Sequence, residues 1–161
     1  MTKKLLLDTQ FFIDLLNVNS VKKQNAIDFL DYFEKEGYQI GTSSIVVSEF
    51  WNSSKQLTPF ENVSVFTFSQ KDGIVCAEIN EKLAKATGRF YNKDVKNCVT
   101  NDYMLLSQCY NNQLTFVTRD GRLTDEIDLL EKEFEIVIPY IKFNDTLQSY
   151  IGSKKGMKPL F

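Results

Sequence analysis

The chain has 161 residues, 43% of them hydrophobic and 25% charged, with a formal net charge of −2. That suits one ordinary domain with a real core, and it argues against a protein that coats nucleic acid by bulk electrostatics. Histidine is absent altogether, which excludes serine–histidine and cysteine–histidine catalysis, histidine general bases and nearly every catalytic zinc site.

In chain order, residues 4–7 form a short apolar run, and Asp8-Thr9 then offers an N-cap to a helix ending at Leu16. Lysines before this run give it a superficial likeness to a signal peptide. Asp8, Gln10 and Asp14 interrupt it and no small-residue cleavage site follows, so it reads as first strand and first helix. Residues 21–36 carry Ala26, Phe29, Leu30 and Phe33 at helical spacing, with Gly37 as the stop. A second strand is expected at 39–42, and Ser43 or Ser44 caps a helix reaching about Lys55. Residues 63–68 alternate as a third strand, and 71–87 form a helix with Val75, Ile79, Leu83 and Ala86 on one stripe before Gly88. An irregular, insertion-like stretch occupies 89–100. A helix at 101–112, a strand at 114–118, a helix at 123–133 and a fifth strand at 135–138 complete the pattern before Pro139.

Strands alternating with helices imply a three-layer α/β/α sandwich around a mainly parallel, five-stranded sheet. Ligands of such sheets bind beyond the carboxyl ends of the strands, where strand order reverses. No apolar run reaches the length of a membrane span, so no membrane partner is expected. Cys76, Cys98 and Cys109 fit neither zinc nor redox spacing, and free thiols in a cytoplasmic protein are the simplest account.

Four acids fall near that carboxyl edge. Asp8 follows the first strand, Asp120 follows the fourth, and Asp102 opens the helix at 101–112. Each has a plain structural explanation: a helix cap, a turn before glycine, and compensation of a helix dipole. Glu49 is less easily explained. It shares a helix face with Ile45, Val46 and Ser53, and Val46 three residues earlier rules out a capping box. A half-buried glutamate needs a partner or a cation. Four converging carboxylates would repel one another and raise their pKa values. Mg²⁺ or Mn²⁺, which prefer oxygen ligands, resolves that repulsion.

The residues around these acids resemble a known family. Leu5-Leu6-Leu7-Asp8-Thr9, Ser43-Ser44-Ile45-Val46-Val47-Ser48-Glu49, Asn101-Asp102-Tyr103-Met104-Leu105-Leu106 and Leu114-Thr115-Phe116-Val117-Thr118-Arg119-Asp120 are similar, in order and spacing, to the four motifs of PIN domains. Among these, the resemblance is to the ribonuclease toxins of bacterial VapBC toxin–antitoxin pairs. It implies a PIN domain over 1–140 with a C-terminal extension at 141–161, and Asp8 and Asp120 on adjacent strands at the reversal point. It also implies metal-dependent cleavage of RNA, an antitoxin partner and a homodimer, with Thr9 and Thr118 orienting the carboxylates. Gln10, standing where asparagine is common, departs from the pattern, as do the long 89–100 stretch and the tail.

On this reading Asp8, Glu49, Asp102 and Asp120 are both the catalytic residues and the metal ligands. Arg89, Lys93, Lys96, Lys154, Lys155 and Lys158 are candidate phosphate contacts, although solvated surface charge explains any one of them as well. Two rival readings remain: a PIN fold that binds RNA or protein without cleaving, and a phosphoaspartate phosphatase or receiver on a similar sheet. The latter expects a second acid beside Asp8, whereas the chain reads Asp8-Thr9-Gln10.

Overall fold

A computed structural model describes residues 3–18, 20–55, 60, 63–88, 100–143 and 146–154. Its strands are β1 (Lys4–Leu7), β2 (Gln39–Ser43), β3 (Ser64–Phe66), β4 (Thr115–Thr118) and β5 (Tyr140–Lys142). The helices are α1 (Thr9–Leu16), α2 (Ser20–Lys35), α3 (Ser44–Ser54), α4 (Gln70–Ala86), α5 (Asn101–Asn112), α6 (Gly121–Phe134) and α7 (Leu147–Lys154).

The five strands form one sheet in the order β3-β2-β1-β4-β5, and every neighbouring pair is parallel. The sequence pattern explains the centre of this order. Leu5, Leu6 and Leu7 are at most 1% exposed, as befits a strand covered on both faces. The chain runs from β1 out to β3, then crosses to the other side of β1 for β4 and β5. Right-handed crossovers therefore put α1–α3 on one face and α4–α6 on the other. Packing agrees: α1 meets α2 and α3, while α4 meets α5 and α6. Order reverses between β1 and β4, so their carboxyl ends bound a crevice.

Local chemistry sets the element ends. Ser43 caps α3 by accepting from the Ile45 N–H, whereas Ser44 turns its hydroxyl to the Phe68 N–H. Ser69 and Asp72 form a reciprocal capping box at the start of α4. Gly41 packs so tightly that a Cβ there would collide with the Phe66 ring and come within 2.8 Å of the Ser64 carbonyl oxygen.

Two strands differ from their sequence expectation. The third covers only Ser64–Phe66, because the Phe68 N–H leaves the sheet for Ser44. The fifth is Tyr140–Lys142, not 135–138. Ile136 and Ile138 are buried while Val137 is 56% exposed, an alternation that mimics a strand. Glu135 instead ends α6 in the left-handed region at φ 58°, and the Ile136 N–H turns back to Leu130. Pairing with β4 starts only where the Phe116 N–H reaches the Pro139 carbonyl. Beyond β5, α7 packs on α2 through the Tyr150 ring, which meets those of Phe29, Tyr32 and Phe33. Of the stretch expected to be irregular, 89–99 lies outside the described residues, as do Cys98, Arg89, Lys93, Lys96, Lys155, Lys158 and the Lys154 side chain. Cys76 and Cys109 are buried free thiols.

Candidate functional site

Asp8 stands at the carboxyl end of β1, beside β4, where its N–H bonds the Val117 carbonyl. Its side chain caps α1: Oδ1 accepts from the Thr9 N–H at 2.6 Å. Oδ2 accepts from the Thr118 hydroxyl at 2.7 Å. Thr118 is fully buried and its Oγ1 also accepts from the Asp120 N–H at 3.1 Å. One hydroxyl at the end of β4 thus fixes both Asp8 and the start of the loop carrying Asp120.

Glu49 is half-buried on α3. Oε2 accepts from the Thr9 hydroxyl at 2.7 Å and Oε1 from the Asn101 amide at 2.6 Å. The partners expected for this acid are therefore neutral donors from α1 and α5. Asp102, in the first turn of α5, receives Nη2 of Arg122 at 2.6 Å. Asp120 caps α6, its Oδ1 accepting from the N–H groups of Arg122 and Leu123, and its Oδ2 lies 3.6 Å from Arg122 Nη2.

Peptide bonds and these polar contacts close a ring: Asp8, Thr9, Glu49, Asn101, Asp102, Arg122, Asp120, Thr118 and back to Asp8. The structural explanations for the three aspartates hold as well, since Asp8 and Asp120 are caps and Asp102 lies in a first turn. Burial pushes the Asp8 carboxyl up from its ordinary 3.8 to about 6. The Thr118 hydroxyl and the Thr9 N–H oppose that rise, while the charges of Asp102 and Glu49 add to it.

The donor set is of the kind a hard divalent cation takes: carboxylate oxygens, with hydroxyls and an amide in support. An excess of negative charge around a partly buried Asp8 gives a cation something to compensate. The carboxylates nonetheless do not surround a common point. Among the described residues, no three acidic side chains are gathered closely enough to share an ion. Arg122 engages Asp102 and Asp120, and Thr9 and Asn101 engage Glu49.

Sequence reasoning does not single out Asn101, Arg122 or Glu126. Glu126 lies one turn after Arg122 on α6, with both oxygens 3.3 Å from Arg122 Nη1, and it accepts from the hydroxyl of buried Tyr103. The one signal in the sequence is adjacency: Asn101 precedes Asp102, and Arg122 follows Asp120 by two. No helix among the described residues is long and apolar enough to cross a membrane.

Comparison with known proteins agrees with this fold. Three solved structures superpose over most of the chain. FitAcB from Neisseria gonorrhoeae matches at 18% identity and a TM-score of 0.60, covering 86% of this chain and 97% of that one. DNA-bound VapBC from Salmonella typhimurium matches at 18% identity and 0.57, covering 89% and 99%. VapBC2 from Rickettsia felis, bound to a promoter DNA fragment, matches at 16% identity and 0.52, covering 85% and 98%. At such identities the likeness is one of fold. No curated protein matches the sequence. The PIN domain profile, however, matches residues 5–141, the greater part of the 161. The chain belongs to the PIN domain family.

Proposed function

We propose that the chain is a metal-dependent ribonuclease that hydrolyses RNA phosphodiester bonds, and that it is the toxin of a toxin–antitoxin pair. The observation that carries this reading is the closed ring at the strand-order reversal, with Asp8, Glu49, Asp102 and Asp120 on its rim. Family membership supports nuclease chemistry. The similar folds seen in VapBC and FitAB complexes support the toxin reading.

Asp8, Glu49, Asp102 and Asp120 would hold Mg²⁺ or Mn²⁺. Such an ion, when bound, polarises a phosphate oxygen and lowers the pKa of a bound water. The chain's own contribution is positioning. Thr118 holds the Asp8 carboxylate from β4, and Thr9 and Asn101 hold Glu49 from two different helices. With Asp8 and Glu49 fixed by neutral donors, these two carboxylates need little reorganisation at the moment of reaction. The reading extends to a cognate antitoxin as partner, a homodimer and a cytoplasmic location. The DNA bound in two of the similar complexes fits a pair that binds its own promoter.

The test is incubation of purified protein with total RNA and, separately, with DNA, in Mg²⁺ or Mn²⁺. EDTA and Asp8→Asn serve as controls. Defined RNA fragments that vanish in both controls are expected. RNA left intact by a protein that demonstrably binds Mn²⁺, or fragments that persist with Asp8→Asn, would overturn the proposal.

A further inference from the structure

Arg122 is held in the acidic crevice from three directions. Its backbone N–H donates to Asp120 Oδ1 at 2.9 Å, which fixes the first turn of α6 on that aspartate. Nη1 lies 3.3 Å from both oxygens of Glu126, and buried Tyr103 steadies Glu126 through its hydroxyl. Nη2 then falls 2.6 Å from Asp102 Oδ2 and 3.6 Å from Asp120 Oδ2. The guanidinium therefore sits between two acids on which the metal reading depends. A divalent ion needs the same charges, with oxygens near 2.1 Å. Arginine stays protonated at any physiological pH, so it cannot yield by losing its charge and can only move. A place to move to is already built, because Glu126 lies at i+4 on the same helix face.

We propose that Arg122 is the resident counter-ion of the carboxylate site and exchanges with the divalent cation. The guanidinium leaves Asp102 and Asp120 as the ion arrives, and Glu126 retains it at the rim. This rests on the metal reading above and adds to it a residue that no motif identifies. It also accounts for the absence of a gathered three-acid cluster among the described residues: the guanidinium, not a metal, is the cation for which Asp102 and Asp120 are now arranged.

The exchange has a binding signature and a spectroscopic one, neither dependent on cleavage. Calorimetric titration with Mn²⁺ should give Arg122→Gln a Kd about threefold to tenfold below that of the unmodified protein, since each solvent-facing ion pair removed is worth only a few-fold. The Arg122 side chain is 53% exposed, so the variant should fold, and a thermal melt checks that it does. In the unmodified protein, the ¹⁵N signal of Arg122 Nε should shift with Mg²⁺ and saturate together with the calorimetric isotherm. An unchanged Kd in the variant, or an Arg122 signal that stays still while Mg²⁺ fills the site, would overturn the exchange and leave the metal reading standing. If neither protein binds Mn²⁺, both ideas fall together.

Discussion

Asp8 trades stability for charge. Its folded pKa of about 6 lies above the ordinary 3.8, so the fold favours the protonated acid. The stabilisation is whole below pH 4 and is lost as the pH rises through 6. A shift of this size corresponds to roughly 3 kcal/mol. In EDTA, Asp8→Asn is expected to be more stable than the unmodified protein at pH 7.5 by up to about that amount, the two converging near pH 4. Urea denaturation at both pH values measures it. Equal stability at pH 7.5 would show that Asp8 carries no such cost. A variant that gains stability while losing the proposed activity is the pattern expected of a site residue.

At the scale of elements, the loop after β4 is held from beneath by Arg119. Its Nη1 lies 3.0 Å from Asp14 Oδ2, an acid on α1 that is 1% exposed. The contact is an ion pair but not an aligned hydrogen bond, for that oxygen lacks a hydrogen-bond partner. Arg119 Nε donates to the Phe143 carbonyl at 3.2 Å, and the guanidinium lies over the Phe143 ring at 4.7 Å. One side chain thus ties α1, the exit of β4 and the exit of β5 together. Asp14→Ala leaves a cation without its buried partner, and a loss of about 3 kcal/mol is expected from chemical denaturation. Pairing it with Arg119→Met should cost less than the sum of the two changes. This girder was hidden in the sequence, where Asp14 reads only as a charge interrupting an apolar run. Helix ends were readable because caps are local: Asp8, Ser43 and Gly37 announce themselves. The fifth strand was not, because Ile136 and Ile138 show strand alternation and only a distant partner, β4, decides which residues pair.

For the whole molecule, alternation of strands and helices carried the layer architecture, and the reversal between β1 and β4 followed the expected order. Asp8, Asp102 and Asp120 were read at strand exits or helix starts, and Glu49 within two turns of the same edge. Beyond Thr9 and Thr118, what the sequence withheld were the partners of those acids. Asn101 reaches Glu49 and Arg122 reaches Asp102 only because α3, α5 and α6 converge at one edge. The tail was equally opaque, yet α7 lies on α2 through an aromatic cluster around Tyr150. Tyr150→Ala is expected to lower stability by about 2 kcal/mol and to speed amide exchange across α7. Exchange protection unaltered in α7 would show that the helix docks without that ring.

The bond that closes the ring joins Asp8 to Thr118, 110 positions later, and Arg122 comes later still. During synthesis the first acid must wait through those 110 positions before its counterpart on β4 exists. A ribosome making this protein therefore carries no assembled crevice beside it over that interval. The crevice is complete in the nascent chain only once β4 and α6 have left the exit tunnel.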